Sequence, residues 1–266
     1  MKTTKLIVIF ASMLLLALMF SAPVNAVDPI VVNDVWFVAV ATQPLSGANV
    51  SWTDNGAVFH KVGGRANFTL SRSPPGSPGS VNIGNLSIEL VNLEFNNVTK
   101  YGKSVYKINL NLNQTNSTLN PYGVGTLQGV AMGTILTMHP VDTLGEGNGT
   151  GVFVATQGTG AFANAMLTID VITAPFPSIT AGPTIAIFFG THSRVNGRGI
   201  LTMNSLQGTY RDWKVMLHDG RLYAVPPATM TGLPLVQSIG AWDSEYYTRI
   251  GKTAVDAAKP YIDSVG

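Results

Sequence analysis

The chain contains no cysteine. That excludes disulfide staples, thiolate metal centres, cysteine nucleophiles and lipid attachment through sulfur, so packing and hydrogen bonds alone must hold the fold. Charge is scarce too: Asp, Glu, Lys and Arg supply 11% of the 266 residues, against about a quarter in an ordinary soluble domain. A wet surface on such a chain has to be made polar by Asn, Ser, Thr and Gly, or by attached sugar. Histidine is limited to His60, His139, His192 and His218, and no two of them stand at a ligand spacing such as His-x-His. Neither a metal nor a cofactor is expected. Gly123-Val-Gly125 opens a strand pattern where a dinucleotide loop needs a helix, and Asp142 to Thr150 lacks the alternating carboxylates of a calcium loop. A Gly-x-Ser-x-Gly elbow and a telling pair of carboxylates are also missing.

What is present begins with an export signature. Lys2 and Lys5 precede an apolar run from Leu6 to Met19, and Val24-Asn25-Ala26 offers small residues before a cleavage point. Residues 1–26 therefore read as a signal peptide, with a secreted or cell-surface mature protein starting at Val27 and keeping no membrane span. Removing Lys2 and Lys5 leaves 14 of the 16 basic side chains against 14 acidic ones. A neutral mature chain gives no reason to expect nucleic acid as a partner.

The rest reads as short strands punctuated by glycine and proline. Tyr106, Ile108, Leu110 and Leu112 alternate with Lys107, Asn109, Asn111 and Asn113, the pattern of a half-buried strand. Leu86 to Val98 changes phase near Val91-Asn92, where a bulge is expected. Asn55-Gly56 and Asp219-Gly220 lie between alternating runs and predict two-residue hairpin tips. From Ala161 to Val171 the odd positions are all apolar, which predicts a strand with a small-residue half. Gly-x-Gly pairs at Gly123, Gly149, Gly158 and Gly197 are taken as strand starts. Thr184 to Phe189 predicts a buried strand. After a Pro-rich stretch, Asp243 caps a helix expected to reach about Ala258, with Pro260 stopping it. The expected class is all-β: an antiparallel, about eight-stranded β-barrel over 27–225, then a linker with one C-terminal α-helix over 226–266.

Gly123-Val-Gly-Thr-Leu-Gln-Gly129, Gly149-Thr-Gly-Val-Phe153 and Gly158-Thr-Gly-Ala-Phe162, with the hairpin from Trp52 to His60, resemble the glycine-punctuated strands of the allene oxide cyclase-like barrel superfamily. The resemblance spans Val35 to Val225 and implies an eight-stranded antiparallel barrel. The plant enzyme's catalytic residues match no positions here, so its activity is not implied.

Two sets of residues are candidates for function. His192 and Arg194 share strand parity with Ala186 and Phe188, so they are placed at the mouth of an apolar interior as ligand-binding candidates, where they could orient a carboxylate or polarise a carbonyl. His218-Asp-Gly-Arg221 looks reactive, but its outer residues simply flank a turn. The second set is seven Asn-x-Ser/Thr sequons, starting at Asn49, Asn67, Asn85, Asn97, Asn113, Asn116 and Asn148. On an exported, charge-poor chain these are glycan acceptors on solvent faces. The function expected is a non-catalytic structural or binding role, with cell-surface components as partners. The alternative is a cyclase or isomerase acting on a small apolar ligand inside the barrel.

Overall fold

Strict alternation along the strands sorts the side chains into two faces, and the sheet closes around the apolar one. The computed structural model describes residues 28–71, 81–138, 147–173, 194–227 and 236–265. Eight antiparallel strands come first in chain order: β1 (Ile30–Thr53), β2 (Val58–Ser71), β3 (Asn82–Asn96), β4 (Tyr101–Leu112), β5 (Gly125–Met138), β6 (Gly147–Gly158), β7 (Met166–Thr173) and β8 (Arg194–Met203). Each pairs with the next, and β8 pairs back onto β1 from Ile30↔Met203 to Val40↔Arg194, which closes the ring. Residues 1–26, expected to be a signal peptide, and the expected strand Thr184 to Phe189 lie outside the described residues.

The inward face is one apolar cluster that includes Phe68, Leu70, Leu86, Ile88, Leu110, Phe153 and Leu201. On β4 burial alternates along the whole strand, and the β3–β4 register slips between Leu90 and Asn92, where the phase change is expected. The outer face is polar. Arg65 sits opposite Glu89 with a side-chain separation of 3.6 Å, and Asn85 sits opposite Asn111. Such exposed pairs contribute little, so the apolar interior is what favours the ring.

A barrel with one terminal helix is not the architecture of this chain. The described strands form two sheets. β9 (Leu206–Tyr210), β10 (Trp213–His218), β11 (Arg221–Val225) and β12 (Gln237–Ala241) make a second sheet in the order β12-β11-β10-β9. The ring thus ends at Met203, short of Val225, and the tail adds a strand to the new sheet. The physical reason is that β10 and β11 are apolar on both faces: Val215 and Ala224 contact a helix, while Met216 and Val225 face the ring.

The single expected helix is two, α1 (Ser244–Arg249) and α2 (Ala254–Val265). Asp243 does cap the first, accepting the Tyr246 N–H at 2.9 Å. Gly251, at φ +65°, then ends it: the Gly251 N–H bonds to the Thr248 carbonyl and the Lys252 N–H to the Tyr247 carbonyl, a Schellman closure. Thr253 and Asp256 start the second helix as a capping box, each side chain accepting the other's backbone N–H at 3.1 Å. Pro260 stands inside α2 and does not stop it. Its absent N–H leaves one carbonyl a turn earlier without its helical donor, while Ala254, Ala258 and Ile262 stay buried against Trp213, Val215 and Leu222.

Of the two expected hairpin tips, one stands and one differs. Asp219-Gly220 is the predicted two-residue tip, with φ of 47° and 67° and His218 opposite Arg221. Asn55-Gly56 is not. Thr53 pairs with Val58, so the loop has four residues, and Asp54, Asn55 and Gly56 all take positive φ. The run from Ala161 is also no strand: Gly160–Phe162 is a 3-10 turn that buries Phe162 and exposes Ala161 and Ala163, and β7 starts only at Met166. The Phe162 side chain joins the apolar interior of the ring at this turn.

Candidate functional site

β10 brings its last residue, His218, against the outer wall of the ring. Thr168 of β7 and Thr202 of β8 point outward there, because Leu167, Ile169 and Leu201 point in. The imidazole sits between the two hydroxyls: Nε2 is 2.8 Å from Thr168 Oγ1 and Nδ1 is 2.8 Å from Thr202 Oγ1. His218 is 1% exposed, and the Tyr223 ring meets it edge-on at 6.0 Å. Both nitrogens are therefore used in the neutral ring, one as donor and one as acceptor.

Burial away from water pushes the His218 pKa down to about 4, with Asp219 pulling weakly the other way. This fixes the sign of a pH effect. Below pH 6.5 the unfolded chain takes a proton that the folded ring refuses until about pH 4, so stability falls as pH drops through that window. The expected loss is about 3 kcal/mol between neutral pH and pH 4. Urea midpoints measured across the window should fall for the unsubstituted chain and stay nearly level for His218→Gln. A parallel fall in both would remove His218 as the cause.

The other histidines do not assemble with it. His60 lies on the outer face of β2, 3.3 Å from Thr53 Oγ1 and 3.9 Å from Glu94 Oε2. His139 and His192 lie outside the described residues. Arg194 opens β8 with its backbone opposite Val40, which is all that is described of it. No ligand site can be built from the His192–Arg194 pair on these residues. Among the described residues no three His, Asp or Glu side chains gather as a metal site, and no helix is long and apolar enough to cross a membrane.

Inside the ring Tyr106 is one of the buried residues that carry a polar group, next to Ser104 on the same face of β4. Burial raises its phenol far above the ordinary range, and the Ser104 hydrogen bond only partly opposes this. Tyr106 is flanked by Leu90 on β3 and Ala131 on β5. Its described strand neighbours are apolar, so the phenol ring packs as part of the interior cluster.

The sequon asparagines behave alike. Asn49, Asn67, Asn85, Asn97, Asn113 and Asn116 are all exposed, while the Asn148 side chain is not among those described. Asn116 Oδ1 accepts the Thr118 N–H at 2.9 Å, folding that sequon into an Asx turn. Sequence reasoning passed over His218 because its neighbours in the chain, Asp219 and Gly220, signal only a turn. The threonines that enclose it are 50 and 16 residues away. No protein family, no curated protein and no solved structure matches the chain.

Proposed function

We propose that this is an exported, sugar-bearing all-β protein with a structural or binding role at a cell surface and no reaction of its own. One observation carries the reading: every sequon asparagine whose side chain is described faces solvent, on a chain with few charges to keep it wet. The apolar interior adds support, since Phe68, Phe153, Phe162 and their neighbours make it a hydrophobic core of the kind that side chains can fill in a barrel of this size. Covalent sugar supplies the hydration that charge supplies elsewhere.

Mature protein recovered from the cells that make it should begin at Val27 and weigh more than its polypeptide. Peptide mapping should place the excess on several of Asn49, Asn67, Asn85, Asn97, Asn113 and Asn116. Exported protein carrying no sugar on any of the six would overturn the sugar-bearing part. Protein that retains Met1 to Ala26 would overturn the export part.

A further inference from the structure

Among the described residues the buried apolar side chains fall into three separate clusters. The ring has its own, and the second sheet with α2 has another, built on Trp213, Val215, Leu222, Ala258 and Ile262. Among the described residues a small joint lies between them, with Met166, Met216 and Val225 as its buried members. Across that joint run the two hydroxyl contacts of His218 and a backbone bond from the Leu206 N–H to the Asn164 carbonyl at 3.2 Å. The covalent link is equally short: β8 ends at Met203 and β9 begins at Leu206, with Asn204 at φ 53°.

We propose that this joint is an acid-operated release with His218 as its pin: protonating the ring frees β9–β12 and α2 from the β7–β8 wall while the eight-stranded ring stays folded. Each layer keeps its own core on parting, so among the described residues release uncovers chiefly His218, the two threonines and the joint cluster, which Val154, Leu206, Tyr223 and Val236 complete. The charged groups on the elements packed around His218 are Lys214 and Asp219 on its own strand and tip, Arg221 on β11, Asp170 on β7 and Arg194 and Arg198 on β8, and the titratable Tyr223 ring meets the imidazole edge-on. β9 and β12 carry none. Asp219, Arg221 and Asp170 are exposed, and no carboxylate is hydrogen-bonded to the imidazole, whose two nitrogens already face hydroxyls. An imidazolium at the joint thus has no buried counter-charge, whereas in the parted state water solvates it. With a docked value of about 4 against an ordinary 6.5, the parted state gains about 30-fold over the docked one between neutral pH and pH 5.

The absence of cysteine makes the test clean, because any introduced thiol is unique. Met166→Cys places a thiol in the joint and Leu110→Cys places one in the ring, both at buried positions. Full-length protein is labelled with dithiodipyridine, which reacts with thiols in acid, and rates are referred to a free thiol at each pH. Labelling at Met166→Cys should rise about 30-fold from neutral pH to about pH 5 while Leu110→Cys stays closed. Adding His218→Gln should abolish that rise. In the unsubstituted chain, the ring titration of His218 followed by NMR should share its midpoint with the opening, which covers the case where His218→Gln does not dock. A joint thiol that stays closed at pH 5, or that opens only together with Leu110→Cys, overturns the proposal. So does a His218 ring that titrates near its ordinary value with the joint shut.

Discussion

Gly199→Ala should be among the most damaging single-methyl additions anywhere in the chain. A Cβ at that position would stand 1.8 Å from the Thr168 carbonyl oxygen, with the Thr168 carbonyl carbon and Ile169 Cα also inside 3.0 Å. All three are backbone atoms of β7, the strand that pairs with β8 through Ile169↔Gly199, so no side chain can swing aside. The neighbouring strand must move, and the ladder with it. A cost of about 3 kcal/mol or more is expected, at the upper end of what overpacking does in a flexible core. Gly129→Ala should behave the same way, its Cβ meeting the Val154 carbonyl oxygen at 1.9 Å. Gly220→Ala is the control. Nothing lies within 4 Å of a Cβ there, and only the φ of +67° is strained, for about 1 kcal/mol. Urea midpoints for the three variants give the comparison; equal losses at Gly199 and Gly220 would mean that the strands do not approach as closely as described.

Phe162→Ala is expected to cost about 3 to 5 kcal/mol, the range for emptying a buried aromatic site. Phe162 is fully buried, in the 3-10 turn that precedes β7, and belongs to the interior cluster of the ring. Gly125 and Gly158 pack against this turn: a Cβ on Gly158 would lie 2.0 Å from the Phe162 carbonyl oxygen, and one on Gly125 would lie 3.1 Å from its ring. The site is walled by backbone and has little freedom to collapse, which favours the upper half of the range. A denaturant midpoint shifted down with an unchanged slope would match this. A loss below about 1 kcal/mol would mean that the end of the ring is open to water and that Phe162 closes nothing.

The legible part of the sequence was the part governed by period two. Alternation along Tyr106–Leu112 placed β4 face by face, the phase slip placed the bulge beside Asn92, and Asp219-Gly220 placed a hairpin tip. What escaped depends on partners far away in the chain. The glycines look like punctuation, yet Gly149 and Gly197 lie within β6 and β8, and Gly129 and Gly199 are demanded by carbonyls on adjacent strands. The second sheet was hidden because β10 and β11 are short and apolar on both faces, so they pass for more of the same ring. Pro260 suggested a stop, and burial of Ile262 beyond it overrode that local signal. His218 needed Thr168 and Thr202 to be seen as a site, and nothing in its own neighbourhood names them.

The pairing of Ile30 with Met203 has a mechanical consequence. A pull between the N-terminal side and the second sheet enters the ring at these two residues, which face each other at one end of an antiparallel ladder. Hydrogen bonds in such a ladder lie perpendicular to the strands, so the β1–β8 seam would carry the load one rung at a time, from Ile30 towards Val40. The seam peels like a zipper instead of resisting in shear. β1 would then hang from β2 alone, whose own register runs from Val38 to Thr53 and is loaded only after the seam has opened. Tension of this kind would convert the ring into an open sheet before any other strand is disturbed.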